Sequence, residues 1–183
     1  SKDGVQTGDP TEVALIDVGN KINIFKDDLN KEFKRVNEIP FDSDRKLMTT
    51  VNSYENKYYV FTKGAIDSIL KISNKILING EIKDFAHKEK SETLNASNLM
   101  SDDALRVLAL AYKPIDNEHV PIDELENDLI FVGLMGMIDP PREEVKGSIE
   151  LSKKAGIRTI MITGDHKNTA VAIAKELGID EVH

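Results

Sequence analysis

The stretch Tyr58-Tyr-Val-Phe-Thr-Lys-Gly-Ala-Ile-Asp-Ser-Ile-Leu70 reads as a strand that enters a Lys-Gly turn and passes directly into a helix. Tyr58 to Thr62 are aromatic or β-branched, the composition of a strand, and turn-prone residues from Ser53 to Asn56 precede them. Ala65, Ile69 and Leu70 mark one face of a short helix. Gly64 permits close approach to the backbone, a helix start presents unpaired N–H groups and a positive dipole end, and Lys63 adds a full charge just before it. The arrangement suits an anion. It equally describes an ordinary strand-turn-helix connection with a solvated lysine, because most lysines are exposed.

Working outward, Leu47 to Val51 and Lys57 to Thr62 are predicted to pair as a hairpin across Asn52 to Asn56. Before them, Phe41-Asp-Ser-Asp-Arg-Lys-Leu-Met48 sets four polar residues between a large ring and the new strand. Phe41 would end one strand (Val36 to Phe41) and Arg45-Lys46 begin the next, which puts a ring and two cations at one sheet edge. Core packing is the alternative for Phe41. Further upstream lie a short helix near Lys26 to Phe33 and a first helix from Pro10 to about Val18, capped by Asp9 and closed by Gly19. Glu12 falls in its first turn, where the helix dipole favours a carboxylate.

Downstream, Asn79-Gly80 between Ile76-Leu-Ile78 and Ile82 is a two-residue hairpin signal. Ala86 to Ser101 reads as a polar helix burying Leu94, Ala96, Leu99 and Met100. The apolar run Leu105 to Tyr112 contains Arg106, which should pair with an acid or face a cleft, and Pro114 to Glu126 reads as a surface linker with one helical turn. After Asp128 the pattern becomes strand (Leu129 to Ile138), helix (Arg142 to Ala155, ended by Gly156), strand (Arg158 to Thr163) and helix (Asn168 to Leu177, ended by Gly178). Such βαβα units form parallel sheets whose ligand sites lie beyond the carboxyl ends of the strands. Asp139 and Thr163-Gly164-Asp165 fall there.

At 183 residues, with 40% hydrophobic and 31% charged, the chain has the size and composition of one globular domain, or one domain and part of another. A net charge of −8 speaks against a general nucleic-acid binder, so an anionic ligand must meet local basic residues. The absence of cysteine removes disulfides, thiolate metal sites and thiol nucleophiles. The longest apolar run, Leu129 to Ile138, is too short to cross a bilayer, so no direct membrane insertion is expected. No G-x-x-x-x-G-K-[ST], no G-x-G-x-x-G and no His/Cys metal spacing occurs.

Six segments, in order, resemble the large cytoplasmic loop of P-type cation-transporting ATPases. They are Thr7-Gly-Asp-Pro-Thr-Glu-Val-Ala-Leu15, Pro40-Phe-Asp-Ser-Asp-Arg-Lys46, Lys63-Gly-Ala65, Leu105-Arg-Val-Leu-Ala-Leu-Ala111, Asp139-Pro-Pro-Arg142 and Met161-Ile-Thr-Gly-Asp165. The resemblance covers nearly the whole chain and looks most like the calcium-type subgroup. It implies an α+β fold: a nucleotide-binding domain over residues 1–128, with an antiparallel sheet and flanking helices. A partial phosphorylation domain, an incomplete parallel βαβα unit of haloacid-dehalogenase type, would follow over residues 129–183.

By the same resemblance Phe41 stacks on adenine, Glu12 accepts from the adenine amino group, Lys63 and Gly64 floor the pocket, and Lys46 and Arg106 meet phosphates. Asp139, Arg142, Thr163, Gly164 and Asp165 meet the terminal phosphate and its magnesium ion. The implied ligands are ATP or ADP with Mg2+, the main Mg2+ ligands lying outside this chain. The implied partners are the phosphorylation, actuator and membrane domains of the same pump, on the cytoplasmic side of a membrane, the plasma membrane by expectation.

Departures are also visible. Ile66-Asp67 stand where the family often has Pro-Glu, Ser43 where some members carry a phosphate-touching arginine, and His166 where many have Asn. The Asp-Lys-Thr-Gly-Thr segment with the phosphorylated aspartate, the later Gly-Asp-Gly-x-Asn-Asp motif and the membrane helices are not in these 183 residues. The chain is therefore expected to be a piece that binds nucleotide without completing turnover. The alternatives are a soluble phosphatase-like α/β enzyme with Asp139 as nucleophile, and a non-catalytic module whose acidic surface holds a basic partner.

Overall fold

A computed structural model of the chain describes residues 10–103, 105–117, 120–138, 143–162 and 167–179. The elements run α1 (Pro10–Lys21), α2 (Lys26–Glu32), β1 (Lys34–Asp42), β2 (Leu47–Tyr54), β3 (Lys57–Gly64), α3 (Ile66–Ile72), β4 (Ser73–Ile78), β5 (Glu81–Asp84), α4 (His87–Asp102), β6 (Arg106–Ile115), α5 (Ile122–Leu125), β7 (Leu129–Met137), α6 (Glu143–Lys154) and α7 (Lys167–Leu177). The seven strands form one sheet in the order β1-β2-β3-β6-β7-β4-β5. Its pairs β1–β2, β2–β3, β3–β6 and β4–β5 are antiparallel, and β4–β7 is parallel. This is the expected α+β fold with a mostly antiparallel sheet. The chain divides into two compact units, one of residues 1–90 and 108–135, the other of residues 91–107 and 136–183.

Both tight hairpins close on a left-handed backbone, which Asn56, Asn79 and Gly80 adopt readily and which Glu55 also takes. Glu55 and Asn56 have φ of 48° and 60°, and Asn79 and Gly80 have 51° and 83°, so each pair closes its strands with positive φ at both central positions. Tyr54 faces Lys57 across the first turn and Ile78 faces Glu81 across the second. The loop at 52–56 thus narrows to two residues, and β2 and β3 are longer than the sequence pattern suggests.

Alternation along β2 and β3 divides the first unit's residues between two faces. Leu47, Thr49 and Val51 with Val60, Thr62 and Gly64 are buried on one side. There they join Ile69, Ile76, Phe85, Ala109, Ala111, Leu125, Leu129 and Phe131 in the core. Full burial of an aliphatic side chain such as Ile69 contributes about 1.5–3 kcal/mol. Met48 and Thr50 pair with Lys63 and Phe61, and these four point to the opposite face.

Several expectations are corrected. Helix α1 continues through Gly19 to Lys21, because the left-handed residue that ends it is Asn23, with φ 60°, and the Gly19 carbonyl instead accepts from the Ile22 and Ile24 amides. In α4 the buried residue is Ser97, while Leu94, Ala96 and Leu99 are exposed. Pro114 is not in a linker: it sits in β6 opposite Tyr59. Leu125, in the single turn α5, is buried in the core, which anchors the segment that precedes β7.

In the second unit α6 and α7 end as expected. Gly156 and Gly178 have φ of 72° and 75°, and Ile157 and Ile179 donate back to Ser152 and Ala174, a 6→1 closure of each helix. Ile149, Ala174, Leu177 and Ile179 form its small core. The expected strand from Arg158 is absent: 157–162 carries no strand, with Ile160 and Ile162 exposed. Apolar sequence makes a strand only when a ladder partner is present, and β7, the partner the pattern suggested, has β6 and β4 as its neighbours.

Candidate functional site

On the sheet face opposite the core, a cavity of about 370 Å³ opens in the first unit. Met48, Phe61, Leu110, Tyr112 and Val132 give it an apolar wall, and Glu12, Arg35 and Lys63 bring charge to it. The strand register explains the set. Met48 lies opposite Lys63, Lys63 opposite Leu110, and Phe61 opposite both Thr50 and Tyr112, so all project to one side. An apolar wall with a few placed charges is the general make-up of a small-ligand site.

Lys63 donates to the Glu12 carboxylate, joining β3 to α1 at this cavity. Lys63 is 22% exposed and Glu12 48%, so the pair is reachable by solvent and by a ligand. Arg35 binds Glu38 at 2.7 Å. Beside the cavity, Phe33, which follows α2, stacks on Tyr54 at 4.4 Å between centroids and meets Phe61 edge-on at 6.1 Å. These contacts hold the Phe61 ring at its place in the wall.

The loop from Asp42 to Lys46 is tied to the Lys63-Gly64 turn. Leu47 pairs with Gly64, and the Ala65 amide donates to the Lys46 carbonyl at 3.0 Å. Gly64 is a glycine because its partner strand is too close for anything else. An added Cβ would overlap the Lys46 carbonyl and lie 2.8 Å from Leu47 Cδ2. Lys46 itself is exposed, with φ 57°. Helix α3 begins after this junction and is only seven residues long.

Asp42 shapes the loop from within. Its Oδ1 accepts from the Asp44 amide at 3.0 Å and the Arg45 amide at 2.9 Å. The Arg45 amide bond foremost, with the Asp44 amide and the Arg45 charge, holds its carboxyl below the usual carboxylate range, against an opposing effect of desolvation. Arg45 reaches the other way, its Nη1 donating to both oxygens of Glu126 at 2.5 and 2.6 Å and its Nη2 to the Pro40 carbonyl at 2.9 Å. Hydrogen bonding to Glu126 raises the guanidinium pKa further.

Of the residues singled out in the sequence, Glu12 and Lys63 meet at the cavity, and Gly64 and Lys46 meet at its adjoining turn. Phe41 lies at the end of β1, 64% exposed, and is not among the residues lining the cavity. Arg106 opens β6, exposed, in the second unit. Asp139, Arg142, Thr163, Gly164 and Asp165 lie outside the described residues. Sequence reasoning missed Met48, Phe61, Leu110, Tyr112 and Val132. Phe61 was within reach, since two residues before Lys63 in a strand puts it on the same face.

A mostly antiparallel α+β domain with flanking helices agrees with the nucleotide-binding domain of P-type ATPases. Residues 1–144 match the family described as P-type ATPase, cytoplasmic domain N, and the chain belongs to that family. A protein of Bacillus cereus named calcium-transporting ATPase 1 is 58% identical over 96% of this chain and 20% of its own length. One of the same name from Lactococcus lactis is 47% identical over 98% of this chain and 20% of its own. A sodium/potassium exporting P-type ATPase of Schizosaccharomyces pombe is 43% identical over 96% of this chain and 17% of its own. The chain thus spans about a fifth of the length of the curated relatives it matches. Among the described residues, no helix is long and apolar enough to cross a membrane.

Proposed function

We propose that this chain is the nucleotide-binding part of an ion-pumping P-type ATPase, that it holds ATP for transfer of the terminal phosphate to an aspartate elsewhere in the pump, and that the pump moves calcium. The observation that carries the reading is the Lys63–Glu12 pair in a cavity whose other wall is apolar. A nucleotide offers the same division, a flat apolar base with an exocyclic amine at one end and phosphates at the other. Glu12 accepts from the adenine amino group, Lys63 and Gly64 floor the pocket, Lys46 meets phosphate, and Phe41 covers the base. An exposed phenyl at a strand end gains by such covering, worth roughly 1–3 kcal/mol for a stacked base.

Phosphoryl transfer depends on positioning and charge neutralisation. The role of this chain is therefore to grip the nucleotide and present its far end. Asp139, Arg142, Thr163, Gly164 and Asp165 are proposed to meet the terminal phosphate and Mg2+, with Arg106 a further phosphate partner. Magnesium contact is proposed at Asp139 and Asp165, with the main Mg2+ ligands outside this chain. The magnesium ion, when bound, neutralises phosphate charge. We take residues 1–128 as the nucleotide-binding domain and 129–183 as part of the phosphorylation domain, on the cytoplasmic side of an integral membrane pump of the plasma membrane.

Calcium rests on the names of the relatives from Bacillus cereus and Lactococcus lactis, and the exporter from Schizosaccharomyces pombe marks sodium or potassium as the competing cargo. Titration of the 183-residue chain with ATP by heteronuclear NMR tests the site. Calcium uptake by vesicles carrying the whole pump, compared with sodium and potassium, tests the cargo.

A further inference from the structure

We propose that Glu126 is a positioning residue for the nucleotide site, acting through Arg45 and Thr49 as a strut beneath the segments that carry Phe41, Lys46 and Lys63. The proposal rests on the nucleotide reading of that site. Its ground is a hydrogen-bonded network that ends on one carboxylate. Glu126 follows α5 and its side chain is 9% exposed. It takes both of its Arg45 bonds from Nη1 and a third, at 2.8 Å, from Thr49 Oγ1. Thr49 is fully buried and shares a 3.0 Å bond with Thr62, itself buried. Arg45 Nη2 reaches the Pro40 carbonyl.

The positions reached have a common feature. Pro40 immediately precedes Phe41, Arg45 precedes Lys46, and Thr62 precedes Lys63. In β3 successive side chains alternate, so Thr62 is held on the core side while Lys63 faces the cavity. A single carboxylate, 81 residues from Arg45 and 77 from Thr49, thereby fixes the backbone just ahead of Phe41, Lys46 and Lys63. Fixing contacts in advance improves affinity by reducing the ordering needed on binding. The need for a carboxylate follows from chemistry: Glu126 accepts Arg45 Nη1 on both oxygens and Thr49 on one of them, whereas an amide in its place has a single acceptor oxygen and an NH2 group that cannot accept.

The experiment is calorimetric titration of ATP into the 183-residue chain as wild type, Glu126→Gln, Arg45→Lys and Ile69→Val, each at a temperature where circular dichroism shows it folded. Ile69→Val is the control, since it loosens the core without touching the network. The strut predicts that Glu126→Gln and Arg45→Lys each weaken ATP binding about tenfold, that Glu126→Asp recovers part of the loss, and that Ile69→Val binds as wild type does. In nucleotide-free NMR spectra the amides of Phe41, Lys46 and Lys63 should shift in Glu126→Gln but not in Ile69→Val. Equal ATP affinity in Glu126→Gln and wild type, with Phe41→Ala weakened, would overturn the strut and leave the nucleotide reading intact. A loss in Ile69→Val matching that in Glu126→Gln would also overturn it, as a general stability effect. No ATP binding by the wild type would overturn both readings.

Discussion

Lys63 on β3 and Glu12 on α1, 51 residues apart in sequence, satisfy each other across one wall of the cavity. The carboxylate is already paired, so an adenine amino group must compete with the Lys63 cation for Glu12. Exposed pairs of this kind contribute only about 0.2–1 kcal/mol, whereas a charged hydrogen bond to a ligand group is worth about 1.5–3 kcal/mol. Exchange of partners on nucleotide binding is therefore favourable.

Glu12→Gln should leave thermal stability within about 1 kcal/mol of wild type, because it removes only a partly exposed pair. Its effect should appear in base selectivity: if Glu12 accepts from the adenine amino group, the preference for ATP over GTP falls several-fold. Competition titrations with the two nucleotides measure it.

Lys63→Ala should weaken ATP binding about tenfold, in keeping with loss of one charged hydrogen bond of about 1.5–3 kcal/mol. The remaining affinity should depend less on salt, since one cation of the pocket is gone. Titration at two ionic strengths reads both effects.

Gly64→Ala should destabilise the fold by about 1–3 kcal/mol, the usual cost of forcing extra volume into a packed site. The obstacle is the Lys46 backbone carbonyl, which cannot rotate away as a side chain would. Thermal melting checks the size of the loss. Because the same displacement pulls on Lys46, ATP affinity should fall as well.

The Asp42 loop should loosen on acidification. The folded carboxyl titrates below its unfolded value, so between the two pKa values the unfolded chain binds more protons and stability rises with pH. The contribution is complete above the unfolded carboxylate pKa and is lost as pH falls through the folded one. Lys113 acts with the same sign at the alkaline end, since burial depresses its folded pKa and the fold gains as pH rises through that window. The Asp44 and Arg45 amide shifts, followed from neutral to acid pH, should move together as the Asp42 bonds break, and Asp42→Asn should abolish that step.

Local chemistry made much of this architecture legible in advance. Asn79-Gly80 marked a hairpin because few residues accept its backbone, and Tyr58 to Thr62 marked a strand by side-chain shape. The Lys63-Gly64 turn was also visible, although what crowds Gly64 is a neighbouring strand's carbonyl. Features set by distant partners were hidden. Nothing in the segment after Gly156 shows that it lacks a ladder partner, and nothing around Arg45 points to Glu126. Five apolar residues of the cavity wall were missed because they come from β2, β3, β6 and β7, and only strand register aligns them.

The central claim is that the cavity beside Lys63 takes an adenine nucleotide with Phe41 over the base. Titration of the 15N-labelled chain with ATP, in wild type and Phe41→Ala, tests it most directly. The account predicts saturable shifts at Glu12, Phe41 and Lys63 in the wild type, and binding in Phe41→Ala weaker by roughly 1–3 kcal/mol. Absence of shifts at these residues at millimolar ATP, or equal affinity in the two chains, would contradict it.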